Sequence, residues 1–437
     1  MEKIKIIGSG LTGPLISILL AQRGFEIELY EKRVDPRQEK LSAGRSINLA
    51  LSERGIQALK KAKVFDRIEP ILIPMKGRMI HHKNGDLDFQ SYSINKNDYI
   101  NSVSRAKLNK VLMSEAEERG NVKIHFNHEL IEITENDLIF SNGNIIPNDK
   151  IIIGADGAGS QLRKYVDINV ENPSRKEPLG HAYKELNIAP DKNGKFQLDN
   201  NCLHIWPRGE FMLIALPNTN KSFTCTLFMP NTGEISFESL QSDSDIINFF
   251  QNYFPDILPK LENFPQSFRS NPTGKLATIY TNKWNYKNIL LIGDSAHAIV
   301  PFFGQGMNAS FEDCSELINI LSINNNNFNK TLKKYSDLRK PNTDSIAKMA
   351  IENYIEMRDS VAKSEFIKMN NVANLLYKKF PNRFIPRYNM VSFTSIPYNE
   401  VYKRGEIQKK IIKNIDLNNT DFEDLEKLIN SKLPLIN

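Results

Sequence analysis

The sequence predicts an α/β fold: a Rossmann-type nucleotide-binding domain, an antiparallel-sheet domain and a C-terminal helical region. Three observations carry this. A short apolar run, residues 3–7, enters a glycine-rich turn at Gly8–Gly13 and leaves it through an apolar-periodic stretch from Leu15 to Gln22. Between residues 180 and 230 the pattern changes to alternating β-branched and aromatic residues, as in HIWPRGEFMLIAL and SFTCTLFMP. After about residue 305 the chain reads as mostly helical.

The elements follow in order. KIKII (3–7) has the composition of a buried strand, and FEIELY (25–30) alternates as a second, so the chain opens on a βαβ unit. A helix is expected from Ser52 to Ala62 with Ser52 as its N-cap. Residues 122–126 and 129–133 read as strands, and 137–146 as a hairpin around Ser141-Asn142-Gly143-Asn144. KIIIGA (150–155) and ILLI (289–292) have the continuous apolar character of strands buried on both faces. Asn324–Asn327 is a low-complexity loop, and the tail from Lys403 is polar with a helical pattern. No internal repeat is visible.

Composition narrows the class. A chain of 437 residues is too long for one small core and points to two or three domains. Hydrophobic residues at 40% and charged residues at 25% describe an ordinary soluble globular protein. A net charge of +6 without a run of five basic residues argues against nucleic-acid binding. Cys202, Cys225 and Cys314 lie far apart, so neither a disulfide framework nor a zinc site is indicated, and a reducing cytoplasm fits. The N-terminus lacks the features of a signal peptide, and no apolar run reaches about 18 residues, so no membrane span is expected. His81-His82 and His125/His128 do not have the spacing of a metal site.

Three motifs carry chemistry. In Gly8-Ser9-Gly10-Leu11-Thr12-Gly13 the first glycine permits a tight turn and the second lets a pyrophosphate approach the backbone. The third allows close helix–strand packing, and the helix N-terminus faces the anion. Glu31, at the end of the second strand, is placed to accept from a ribose hydroxyl, within the stretch Tyr30-Glu31-Lys32-Arg33. An acid there disfavours a 2′-phosphate, so the bound adenosine belongs to FAD or NAD rather than NADP. The second motif is GADGAGS (154–160), which brings Asp156 ahead of a helix bearing Gln161 and Arg163. The third is LIGDSAH (291–297), a strand end delivering Asp294, followed by PFFGQGMN (301–308) and a helix from about Met307. Taken singly, Asp156 and Asp294 fit ordinary turn or cap residues. Asp294 is also an acceptor for sugar hydroxyls. Gly304 and Gly306 allow the backbone close to a ring. The helix N-terminus there would stabilise negative charge on a reduced flavin.

In order and spacing the three motifs resemble the aromatic-hydroxylase group of flavoprotein monooxygenases. More specific strings narrow this: GRSINLALSERG (44–55), RMIH (78–81), SVSR (102–105), FNHEL (126–130), residues 203–230, GDSAHAIVPFFGQGMNASFEDC (293–314), NYIEMR (353–358) and FIPRYNMVSF (384–393). Together they resemble the kynurenine 3-monooxygenase family from residue 4 to about 400. The resemblance implies a p-hydroxybenzoate-hydroxylase-like fold and non-covalent FAD. It implies that NADPH and O2 are consumed as L-kynurenine becomes 3-hydroxykynurenine through a flavin C4a-hydroperoxide, a step of the kynurenine pathway. It divides the chain into a discontinuous FAD-binding domain (1–75, 98–178, 272–322), a substrate domain (76–97, 179–271) and a helical region (323–437).

Residue by residue, the resemblance implies FAD contacts at Gly8, Gly10, Thr12, Gly13, Tyr30, Glu31, Lys32, Arg33, Ala50, Arg105, Leu130, Asp156, Gln161, Asp294, Gly304, Gly306, Met307 and Asn308. It implies that Arg78 pairs with the substrate carboxylate, Tyr92 partners it, and Asn353 and Tyr388 close the amino-acid end. The chemistry agrees, since a carboxylate calls for a planar two-pronged donor. Outside this context Arg78 reads as a surface arginine and the tyrosines as core packing. No side chain is expected to act as catalyst, because the flavin carries the chemistry. Two departures stand out. Eukaryotic members end in a hydrophobic anchor, whereas this chain ends in a polar segment, so a cytoplasmic location is expected. Phe303, expected to line the site, stands where some bacterial members have histidine. Only one dinucleotide fingerprint is present, so NADPH is expected to dock transiently. A related aromatic-acid hydroxylase and a flavin-binding protein without turnover stay open as alternatives, as does a monomer or homodimer.

Overall fold

The computed structural model describes residues 2–38, 48–360, 364–415 and 422–436. The first four residues of the GRSINLALSERG string lie outside this set.

The opening βαβ unit forms as expected: strand Lys3–Ile7, helix Thr12–Ala21, strand Glu26–Tyr30. It belongs to a six-stranded sheet in the order Asn285–Tyr286, Ile289–Leu291, Ile151–Gly154, Lys3–Ile7, Glu26–Tyr30, Val122–His125. All pairings are parallel except the edge hairpin Asn285–Tyr286/Ile289–Leu291. Parallel strands are covered on both faces, which explains the unbroken apolar runs; Ile4, Ile6, Ile152, Ile153, Leu290 and Leu291 are fully buried. The register pairs Ile7 with Gly154 and Tyr30, and Gly154 with Leu291. Four adjacent strands therefore end at one level. The turns that follow three of them, at Gly8, Ala155 and Ile292, meet along one edge of the sheet.

The second sheet has seven strands in the order Thr273–Tyr280, Arg175–Ile188, Phe223–Pro230, Met212–Pro217, Cys202–Pro207, Gly77–His81, Leu87–Ser91. Its pairings are antiparallel, as the alternation predicts, except that Gly77–His81 joins Cys202–Pro207 in parallel. Alternate residues point to opposite faces. Trp206, Leu213, Cys225 and Leu227 face one way, into a core shared with helix Asp243–Tyr253. Ile205, Met212 and Phe228 face the other, toward Phe302, Phe303 and helix Phe328–Ile355. Asn48–Leu51, Ile100–Ser104 and Ile73–Met75 form a small separate sheet, and Leu130–Pro147 forms a three-stranded meander that contains the expected hairpin.

Helix Gly306–Ile323 begins one residue before the expected start and packs against Glu53–Lys61 and Thr12–Ala21. Ser52 is the N-cap residue of Glu53–Lys61, but its side chain makes no capping bond. Its hydroxyl accepts instead from Gln305 Nε2 at 3.2 Å. The tail forms helices Tyr398–Asn414 and Phe422–Lys432; Leu425, Ile429 and Leu433 pack with Leu376, Phe384 and Ile411 in a separate small core. Among the described residues no helix is long and apolar enough to cross a membrane.

Candidate active site

One cavity of about 540 Å³ runs from the three strand-end turns to the inner face of the seven-stranded sheet. At its first end the glycines divide the work. A Cβ on Gly13 would lie 2.0 Å from the Gly8 carbonyl oxygen, so this glycine exists for helix–strand contact. A Cβ on Gly10 would meet no protein atom within 4 Å, because it would project into the cavity. That is the space an approaching pyrophosphate needs. Glu31 is buried, with its carboxylate accepting from Ser9 N (2.8 Å), Arg33 N (3.1 Å) and Arg33 Nε (2.7 Å). These bonds hold an acceptor at the cavity wall, matching a ribose. Tyr30 is stacked between His125 and Phe140, at 4.7 and 5.0 Å between ring centroids, and lines the same end.

The second and third motifs are tied together. Asp156 accepts from Gln161 N (2.8 Å), opening the helix Gln161–Ile168, and from Ser295 Oγ (2.9 Å). Arg163 donates to the Ser295 carbonyl at 2.9 Å. Gly293 has φ +61°, and a Cβ there would come within 2.9 Å of Thr12 Oγ1, so this glycine lets the third motif close on the first. Asp294 then faces the cavity, followed by Phe303, Gly304, Gly306 and Met307. Asn308 is fully buried and does not line it. Its amide donates to Ala50 O and Gly304 O (both 2.8 Å) and accepts from Ser52 N (2.9 Å), so it fixes the loop that does.

At the other end stands Arg78, on strand Gly77–His81 and 8% exposed. Its guanidinium lies 4.8 Å from the Tyr388 ring centroid and 5.7 Å from that of Tyr92, with Glu356 Oε1 at 3.7 Å. Arg78 Nε is buried without a hydrogen-bond partner, and the Tyr92 hydroxyl lies behind it within reach of Arg78 and Tyr388. A buried guanidinium with an unpaired donor beside an apolar space suits an anionic ligand, since burying it unpaired is costly. Burial raises the Tyr92 and Tyr388 hydroxyls above their ordinary range, so both stay protonated as donors. Tyr388 is stacked between Tyr92 (5.0 Å) and Phe303 (5.6 Å). The walls between the two ends are Leu203, Met212, Ile214, Leu216, Phe228 and Met357. Such a space holds an aromatic body with one polar end.

Comparison with known proteins decides the family. A model of FAD-binding domains matches residues 2–350. A kynurenine 3-monooxygenase of Dictyostelium discoideum is 42% identical over 98% of this chain and 95% of its own. One of Cytophaga hutchinsonii is 44% identical over 95% and 94%, and one of Sus scrofa 42% identical over 94% and 88%. The chain belongs to the kynurenine 3-monooxygenase family. It is accordingly an FAD-dependent monooxygenase. Solved structures agree on the fold. A 2-methyl-3-hydroxypyridine-5-carboxylic acid oxygenase superposes with a TM-score of 0.67 at 18% identity, over 84% of this chain and 95% of its own. The Pseudomonas aeruginosa protein PqsL in complex with 2-aminobenzoylacetate gives 0.64 at 15%, over 82% and 97%.

Against that family frame, the structure brings most of the expected residues to one cavity. Gly8, Gly10, Thr12, Tyr30, Glu31, Lys32, Arg33, Ala50, Arg105, Leu130, Asp156, Gln161, Asp294, Phe303, Gly304, Gly306, Met307, Arg78 and Tyr388 all line it. Gly13 and Asn308 do not; both act on the backbone of residues that do. Tyr92 lies behind Tyr388, and Asn353 donates to Phe302 O (2.7 Å) and Met357 Sδ (3.2 Å), one layer back from the wall. Sequence reading missed Glu356, although it sits inside NYIEMR, because nothing in the string shows which of its residues turns toward Arg78. It also missed Gln305 and Tyr183. Tyr183 lines the cavity beside half-buried Glu185, whose carboxyl is pushed up to about 7 by burial, partly offset by Arg105. Among the described residues no cluster of His, Cys, Asp or Glu could hold a metal.

Proposed function

We propose that this protein hydroxylates L-kynurenine at ring carbon 3, consuming NADPH and O2. The observation that carries the reading is the buried Arg78, with an unpaired Nε, at the far end of an apolar cavity that opens on the FAD-binding turns. Bound FAD would supply the relay of electrons from NADPH and the activation of oxygen. The chain's own residues do the rest. Gly10 leaves room for the pyrophosphate, Glu31 accepts from the adenosine ribose, and Asp294 accepts from the ribityl hydroxyls. The N-terminus of helix Gly306–Ile323 offers N–H groups to negative charge on the flavin's pyrimidine edge.

Arg78 binds the α-carboxylate in a charge-assisted pair, and Glu356 supplies a countercharge when substrate is absent. Tyr92 and Asn353 act through Tyr388 and the Phe302 carbonyl, holding the two aromatic walls in place. Phe303, Tyr388 and the aliphatic walls orient the substrate ring and exclude water. NADPH docks without a nucleotide-binding domain of its own. The division into an FAD-binding domain (1–75, 98–178, 272–322), a substrate domain (76–97, 179–271) and a helical region (323–437) follows sheet membership except at Thr273–Tyr280, which pairs with Arg175–Ile188 in the seven-stranded sheet and so goes with the substrate domain. A cytoplasmic location fits the three buried, unpaired cysteines.

The test is turnover with kynurenine, NADPH and O2, read by product mass. One added oxygen atom, drawn from O2, supports the reading. NADPH oxidation stimulated by another aromatic acid and not by kynurenine would replace it.

A further inference from the structure

The loop that meets the cavity at Gly304 and Gly306 has no side chain at either position to hold it. Between them stands Gln305, 2% exposed, whose side chain turns away from the cavity into the protein. Both ends of its amide are engaged. Nε2 donates to Ser52 Oγ at 3.2 Å, and Oε1 accepts from the Tyr398 hydroxyl at 2.8 Å. Tyr398 is fully buried in the first turn of helix Tyr398–Asn414, 93 residues further along the chain. Its ring lies 3.9 Å beneath the guanidinium carbon of Arg54. Arg54 is itself fixed, paired with Glu312 and donating to the carbonyls of Val391 and Ile396. The next residue, Asn399, donates its N–H to Asn342 Oδ1 at 3.2 Å.

We propose that Tyr398, braced by Arg54, is a positioning residue that sets the flavin's redox balance by clamping Gln305. Gln305 is the N-cap residue of helix Gly306–Ile323, and its carbonyl opens the helix by accepting from Ala309 N at 2.8 Å. Where Gln305 sits therefore decides where the free N–H groups of the first turn point. Those groups favour the anionic, reduced flavin over the neutral, oxidised one only while they stay aimed at it, since the effect fades within a turn. Asn308 tethers the same turn from inside the nucleotide-binding unit. Tyr398 tethers it from the C-terminal region, so a segment far from the flavin contributes to its chemistry. This rests on the reading that the flavin ring lies against Gly304–Met307.

The experiment uses the holoenzyme of Tyr398→Phe, which keeps the ring under Arg54 and removes only the hydroxyl. FAD affinity, melting temperature and the two-electron midpoint potential of the bound flavin are measured together. The preference for reduced over oxidised FAD is expected to fall roughly tenfold, which is a potential about 30 mV more negative. Gln305→Met should give the same shift, and the double variant no further one, because the two residues act as one link. Arg54→Lys, which keeps the charge beside Glu312, should shift the potential the same way by less. Val401→Ala removes buried volume from the same helix and should lower the melting temperature while leaving the potential alone. An unmoved potential in flavin-loaded Tyr398→Phe and Arg54→Lys overturns the proposal, as does an equal shift in Val401→Ala. A wild-type protein that binds no FAD would instead overturn the reading of the cofactor site.

Discussion

Replacing Arg78 with alanine tests the substrate end of the cavity. The guanidinium is buried, its Nε has no partner in the free protein, and its nearest anion is Glu356 at 3.7 Å, beyond ordinary hydrogen-bond length. A substrate carboxylate would therefore form its charge-assisted bonds without first breaking strong ones. Losing such a pair costs about 2–4 kcal/mol, which is roughly 30- to 1000-fold in the KM for kynurenine. Arg78→Lys should recover part of this, because an ammonium restores the charge without the planar fork. FAD affinity should not change, since Arg78 stands on the seven-stranded sheet and the cofactor turns belong to the other. The assay is steady-state NADPH oxidation across kynurenine concentrations, with FAD binding followed by fluorescence. A near-normal KM, or loss of FAD alongside substrate binding, would refute the assignment.

Three further outcomes are expected. Gly10→Val should leave the apo protein's melting temperature nearly unchanged but weaken FAD binding at least tenfold, whereas Gly13→Ala should destabilise the protein through its clash with Gly8; equal behaviour of the two in paired melting and binding assays would contradict the division of roles. Glu185 has its folded pKa raised to about 7, so it adds stability that is present below its ordinary carboxylate range and lost as pH rises through 7. Discounted for solvent access this is about 1–2 kcal/mol, and Glu185→Gln should flatten the decline in stability between pH 5 and 8 in denaturant titrations. Deleting residues 410–437 removes Leu425, Ile429 and Leu433 from their core and strips Arg383 and Arg404 of carbonyl partners, at roughly 4–8 kcal/mol of local stability. A lower melting temperature and greater peroxide leak during turnover are expected, and unchanged values of both would show the tail to be dispensable.

The local chemistry of this chain is legible in its residues. Gly8–Gly13 between an apolar strand and an apolar-periodic stretch specifies a βαβ unit, because only a glycine tolerates φ +102° at Gly8 and only a glycine clears the Gly8 carbonyl at Gly13. Runs such as KIII and ILLI declare strands buried on both faces, and the alternation in 203–230 declares a sheet with two different faces. These signals are short-range, set by backbone sterics and by the period of apolar residues. What they leave open is which strand lies beside which. Tertiary structure decided that Ile151–Gly154 lies beside the first strand and Ile289–Leu291 beside Ile151–Gly154, so that Asp156 and Asp294 meet the opening turn. It also decided that Gly77–His81 joins the second sheet in parallel, turning Arg78 from an apparent surface arginine into a buried anion partner. Tyr398 reaching Gln305, and Asn353 bonding Phe302 rather than facing the cavity, depend on how helices more than 50 residues apart in the chain come to pack. Such contacts carry no periodicity of their own, because they follow from the global arrangement that buries the most apolar surface while leaving the fewest polar groups unpaired.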